Sequence, residues 1–245
     1  MSAGTLPEAT TWRQVGKEMF FIFLPLVALF FFVENTPVMT VLIALIIIFR
    51  FVLIGQRNDW IFMAIGVIAG GGNDLLSMLK GVYYYTPQHI LPAPIPVWML
   101  FFWGHIFVAF RQLFRLPVYR DFTGQDNPWR IDARLVADIA VVVLFRVIIY
   151  NTVKNEPLPT LGYAAVLAVR LILLPPRPYE WKLMFMVMVL GPLFEGALIA
   201  LGLYVYFDPV FMGMPAWLLI YWAFILPIFM KNIFDRAEVA LARKG

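Results

Sequence analysis

Two acidic residues stand at matching places in an otherwise apolar chain. Asp74 and Glu195 are 121 residues apart, and each is followed by glycine seven residues on and by tyrosine nine and eleven residues on: Gly81, Tyr83 and Tyr85 after the first, Gly202, Tyr204 and Tyr206 after the second. An acid inside a membrane span costs about 2.5–3.5 kcal/mol on insertion scales, so each needs a physical reason. A crowded carboxyl pair suits general-acid chemistry, because repulsion favours keeping one proton beside one carboxylate. The tyrosines, with Trp98 and Trp217 further along, form an aromatic wall whose ring faces attract positive charge, as a transient carbocation would require. The same wall would bind a long apolar tail without reaction. The plainer reading is that the acids hold helices together by hydrogen bonds while the aromatics anchor the chain at the membrane boundary.

Two further residues bear on this chemistry. Arg146, near the outer end of the fifth hydrophobic segment, suits the counter-ion of a buried carboxylate or the partner of an anionic head group, or else snorkels outward; Asp138 precedes it in the same segment. His105, mid-way along the fourth segment, is a proton-transfer candidate or a helix-to-helix hydrogen bond. Metal binding has no support, because His89 and His105, the two histidines, have no histidine or carboxylate at ligand spacing. Ser77 lacks the setting of an activated nucleophile, and no cofactor motif is present. Without cysteine there is no disulfide or thiolate chemistry.

The elements that position these residues are duplicated. Trp60 and Trp181 open runs that stay in step at an interval of 121, and Pro96-Val97-Trp98 with Trp103 matches Pro215-Ala216-Trp217 with Trp222 after a small loop difference. Such a period fixes architecture before function. With 62% hydrophobic and 14% charged residues and a mean hydropathy of +0.82, the chain reads as an integral membrane protein. Eight hydrophobic segments are expected, near 18–34, 37–55, 60–80, 95–115, 133–152, 158–174, 181–203 and 214–234, most near the ~20 residues that span a hydrocarbon core. The short sixth leaves seven spans open. Prolines at 37, 157 and 159 make the second and sixth return limbs of tight hairpins. The fold class expected is all-α and polytopic, two parallel four-helix repeats over residues 1–120 and 121–245 within one membrane domain.

This topology puts 16 of the 19 Lys and Arg on one side and two, Lys80 and Lys154, on the other, with Arg146 inside a span. The positive-inside rule then places both termini in the cytoplasm, in a prokaryotic inner membrane, the first helix staying as a signal anchor. The charge of +4 reflects topology, and no segment has the make-up of a nucleic-acid binding surface.

The stretch Glu195, Gly202, Tyr204, Tyr206, Gly213, Pro215, Trp217 and Trp222 resembles the signature of the carotenoid biosynthesis membrane proteins that include bisanhydrobacterioruberin hydratase. It is also similar to uncharacterised polytopic bacterial and archaeal proteins with the same order of residues. The first repeat holds a degenerate copy with Asp74 in place of Glu. The first resemblance implies acid-catalysed addition of water to a terminal isoprenoid double bond, with Glu195 as proton donor and the tyrosines lining the chain site. The second implies no activity. The sequence therefore supports an isoprenoid- or lipid-directed membrane enzyme, a non-catalytic subunit with a membrane-protein partner, or a proton-coupled transporter with the acids as coupling site. Only Pro25, Pro192 and Pro227 interrupt spans, without repeat symmetry, which weighs modestly against transport.

Overall fold

In the computed structural model, residues 9–86, 94–119 and 129–242 are described; His89 and most of the 116–132 linker lie outside them. Each repeat runs helix, helix, helix, short strand, helix. The first comprises α1 (Trp12–Phe32), α2 (Thr36–Ile54), α3 (Asp59–Leu79), β1 (Tyr83–Tyr85) and α4 (Val97–Phe114). The second comprises α5 (Ala133–Thr152), α6 (Leu158–Leu173), α7 (Pro178–Ala200), β2 (Tyr204–Tyr206) and α8 (Ala216–Ala242). Along α8, Ile225–Met230 form a wide π-helical stretch around Pro227, which has no N–H to donate.

Local chemistry explains the breaks. Thr11 and Gln14 cap the start of α1 reciprocally, and the Asn35 side chain accepts from the Val38 N–H to open α2 immediately after the α1 turn. Both expected hairpins are present as separate helices, including the short α6. Among the described residues, six helices, α1–α4, α7 and α8, are long and apolar enough to cross a membrane; α6 has 16 residues, and α5 carries Arg134, Asp138 and Arg146. The chain is an all-helical polytopic membrane protein built as two four-helix repeats, to which the structure adds a small two-stranded ribbon.

The chain packs as two compact units. One contains residues 10–113 with 195–207, so β2 and the last turns of α7 belong with α1–α4; the other contains 114–194 and 208–245. In the α1–α4 unit, α3 and α4 approach closely through glycine. A Cβ on Gly66 would lie 2.7 Å from the Trp103 carbonyl oxygen and 2.8 Å from Gly104 Cα, and one on Gly70 would meet the Trp103 ring at 2.7 Å. Small residues of this kind let helix backbones approach in a membrane. In the α5–α8 unit, Phe145 stacks on Tyr163 with centroids 4.0 Å apart and meets Phe224 edge-on, tying α5 to α6 and α8.

Candidate functional site: a carboxyl–tyrosine cluster

The recurring acid, glycine, tyrosine, tyrosine order has a geometric cause. Helix α3 closes on Gly81, whose N–H bonds to the Met78 carbonyl while the Val82 N–H reaches back to Ser77 at 2.9 Å. Helix α7 closes identically, with Gly202 to Ile199 and Leu203 to Leu198. Both glycines have positive φ, 69° and 77°, the left-handed conformation that this Schellman cap requires. The cap folds the chain back as a strand, and side-chain alternation turns the first and third strand residues to one side. The tyrosines nine and eleven residues after each acid therefore return to it.

Tyr83 and Tyr85 each donate to the Asp74 carboxylate, to Oδ1 and Oδ2, at 2.5 Å, and Trp103 Nε1 of α4 donates to Oδ2 at the same distance. In the second repeat the Tyr206 hydroxyl donates to Glu195 Oε1 at 2.6 Å, and Tyr204 is a further hydrogen-bond partner of Glu195. The two acids and the four tyrosines are buried and Trp103 is half-buried, whereas Tyr84 and Val205, on the opposite side of the ribbon, are exposed.

Strands β1 and β2 pair antiparallel, Tyr83 opposite Tyr206, Tyr84 opposite Val205 and Tyr85 opposite Tyr204. Since Tyr83 corresponds to Tyr204 and Tyr85 to Tyr206 in the repeat, the pairing is isologous about Tyr84 and Val205, as across a twofold axis. The four rings form one cluster, with Tyr83–Tyr206 centroids 5.1 Å apart and Tyr85–Tyr204 5.6 Å. Burial, then the adjacent Asp74 carboxylate, push the Tyr83 and Tyr85 hydroxyls well above the usual phenol range; burial, then Glu195, do the same for Tyr204. These phenols remain protonated donors.

The other residues singled out from sequence have settings of their own. Trp98 and His105 are buried on α4, their Nε1 and Nε2 atoms without a hydrogen-bond partner. Trp217 packs edge-on against Tyr163 in the α5–α8 unit. Arg146, in that same unit, donates to the Tyr221 hydroxyl at 2.7 Å and lies over the Tyr221 and Tyr150 rings. Trp103, by contrast, is a direct partner of Asp74; its place after the Pro-x-Trp pair was visible in the sequence, its donor role was not.

Sequence reasoning also missed two buried ionic networks. Arg50 bonds Glu18, with Nε to Oε2 at 3.0 Å, and pairs with Asp59, which Arg111 also engages. Gln112 donates to Asp59 at 3.3 Å and accepts from Thr10 at 3.0 Å, so neutral side chains extend the network. In the second repeat Arg170 Nε pairs with Asp138 at 2.7 Å, Arg134 with Glu180 at 3.2 Å, and Lys231 with Asp235. The available signal was the same period: Glu18 and Asp138, Arg50 and Arg170, and Arg111 and Lys231 are 120 apart, and Asp59 and Glu180 are 121 apart. Among the described residues, no three His, Cys, Asp or Glu side chains come together as metal ligands.

No protein-family model and no curated protein matches this chain. Among solved structures, the crystal structure of a mycobacterial Insig homolog from Mycobacterium vanbaalenii is similar, with a TM-score of 0.56 at 20% identity over 78% of this chain and 99% of that chain. At that identity the similarity concerns the fold, which agrees with the architecture above: an integral membrane protein of packed apolar helices.

Proposed function

We propose that this protein is a non-catalytic membrane scaffold that holds a lipid of the isoprenoid class, or a membrane-protein partner, against its apolar perimeter, and that Asp74 and Glu195 act as clasps rather than as catalytic acids. Both termini are placed in the cytoplasm on the charge distribution. The observation that carries the reading is the enclosure of the acids by neutral protein partners. Asp74 accepts at both oxygens, from Tyr83, Tyr85 and Trp103, and Glu195 accepts from Tyr206. A general acid must carry a proton and aim it at substrate, whereas a carboxylate surrounded by donors is an acceptor. Each acid pins its own strand to its own helix, and the ribbon joins the two strands. The fold similarity to an Insig homolog is compatible with a scaffold and does not require chemistry.

A second reading keeps the hydratase resemblance: Glu195 protonates a terminal isoprenoid double bond, with Tyr204 and Tyr206 beside the chain. One asymmetry favours it. Trp103 donates to Asp74, whereas the indole Nε1 of Trp222, its counterpart in the repeat, is buried without a hydrogen-bond partner.

Mass spectrometry of organic-solvent extracts from the purified protein separates the two. In the scaffold reading, Glu195→Gln carries the same lipid in the same chemical form as wild type, because glutamine still accepts from Tyr206. A lipid that accumulates unhydrated in the variant, with the fold intact, would overturn that reading and establish Glu195 as the acid.

A further inference from the structure

The repeats differ most sharply around Arg146. Its counterparts in the first repeat are Pro25 and Leu26, and Tyr150, Tyr163 and Tyr221 correspond to Leu29, the Leu42–Ile43 pair and Phe102. At equivalent places in one duplicated fold, one copy is wholly apolar and the other carries a guanidinium and three phenols. Packing alone does not call for this, since the first copy packs the same elements without it. Tyr163 has a structural use, donating to the Phe145 carbonyl at 2.9 Å. Arg146, Tyr150 and Tyr221 remain to be explained.

Arg146 and Tyr150 are four residues apart, hence on one face of α5. The guanidinium lies 6.0 Å from the Tyr150 ring centroid and 5.1 Å from that of Tyr221, to whose hydroxyl it donates. The Tyr150 hydroxyl is buried and makes no hydrogen bond. Tyr221 is held just before the π-helical stretch of α8, and such wide turns recur at binding sites in helical proteins. Arg146 is six residues from the end of α5, about 9 Å along the axis, so its side chain reaches the depth of lipid head groups. Val143, one turn before Arg146 on the same side of α5, is exposed, an apolar neighbour suited to an acyl chain.

We propose that Arg146, Tyr150 and Tyr221 form a binding site for the phosphate of an anionic membrane lipid, present in the second repeat and absent from the first. The planar fork of arginine matches two phosphate oxygens, Tyr150 supplies a hydroxyl donor to a third, and Tyr221 fixes the guanidinium plane. The site is independent of the carboxyl–tyrosine clasp.

The test is native mass spectrometry of protein taken from phosphatidylcholine vesicles containing phosphatidylglycerol as probe, with inorganic phosphate as competitor. The wild type should retain phosphatidylglycerol in preference to phosphatidylcholine. Arg146→Gln should lower that retention about tenfold or more and Tyr150→Phe by a few fold, in line with charge-assisted and neutral hydrogen bonds respectively. Inorganic phosphate should leave retention unchanged. Equal retention by wild type and Tyr150→Phe, which removes one oxygen and tests the site even if Arg146→Gln does not fold, would overturn the proposal. Displacement of the lipid by inorganic phosphate would overturn the lipid assignment and identify a free-anion site.

Discussion

The α1–α4 unit buries two kinds of carboxylate. Glu18 and Asp59 are matched by the cations Arg50 and Arg111, while Asp74 and Glu195 are matched by phenols and an indole, which are neutral. An ion pair in an apolar interior is stable as a pair, and losing one partner leaves a charge with no compensation. A carboxylate held by neutral donors loses them one at a time. The two networks should therefore fail differently, the first abruptly and the second in steps.

The sharpest break is at Arg50, which serves Glu18 and Asp59 at once and is fully buried. Arg50→Met is expected to lower stability by about 3–5 kcal/mol, the usual cost of opening a buried pair from one side. Unfolding in mixed micelles reads this directly. Adding Glu18→Leu to Arg50→Met should recover part of the loss, because it removes the stranded charge. If the single variant were as stable as wild type, the distinction between ionic and phenolic networks would not hold.

A second comparison sets equivalent glycines against each other. A Cβ on Gly70 would lie 2.7 Å from the Trp103 ring, the same ring that donates to Asp74, while a Cβ on Gly191 would meet nothing nearer than 3.7 Å. Gly70→Ala should destabilise by about 1–3 kcal/mol through overpacking, and Gly191→Ala should stay within about 1 kcal/mol of wild type, since helix propensity favours alanine. Thermal unfolding of the two variants side by side checks the difference. Equal effects would mean that the closeness of α3 to α4 is not what positions Trp103.

How much of this was legible in the sequence depends on the range of the interaction. The acid-to-glycine-to-tyrosine spacing is local: glycine at C′ closes the helix, alternation sets the tyrosine side, and both were readable, although three-residue strands are too short to announce themselves. The eight helices were readable because apolar runs and proline breaks are local too; α8 extends past its expected end, to Ala242, because Lys231 and Asp235, polar in sequence, are internally paired. The ionic networks were not read. Arg50, Arg111, Arg170 and Lys231 were counted among charges on one face of the membrane, whereas all four side chains are buried in ion pairs. Only the partners show this, and they lie on other helices. The clasp itself was half legible, since the acids and tyrosines stand out in the sequence but the partners that enclose each acid, Trp103 among them, are a property of three-dimensional placement.

The subtlest expectation concerns alkaline pH. Tyr83, Tyr85 and Tyr204 have hydroxyls held well above the usual phenol range by burial and then by the neighbouring carboxylates. A phenol ionises near pH 10 in an unfolded chain. Because the folded value is the higher one, the folded state binds more protons from there upward, so the stabilisation is complete below about pH 10 and is lost progressively as pH rises toward the folded values. Near-ultraviolet absorbance of tyrosinate should show these hydroxyls ionising only together with unfolding. Tyr83→Phe should cost about 1 kcal/mol at neutral pH, since Asp74 keeps Tyr85 and Trp103 as donors. The same variant should also flatten the alkaline decline, having one fewer buried phenol to ionise. A decline as steep as wild type would show that alkaline unfolding begins elsewhere, and that the neutral network is not the more pH-tolerant of the two up to the phenol range.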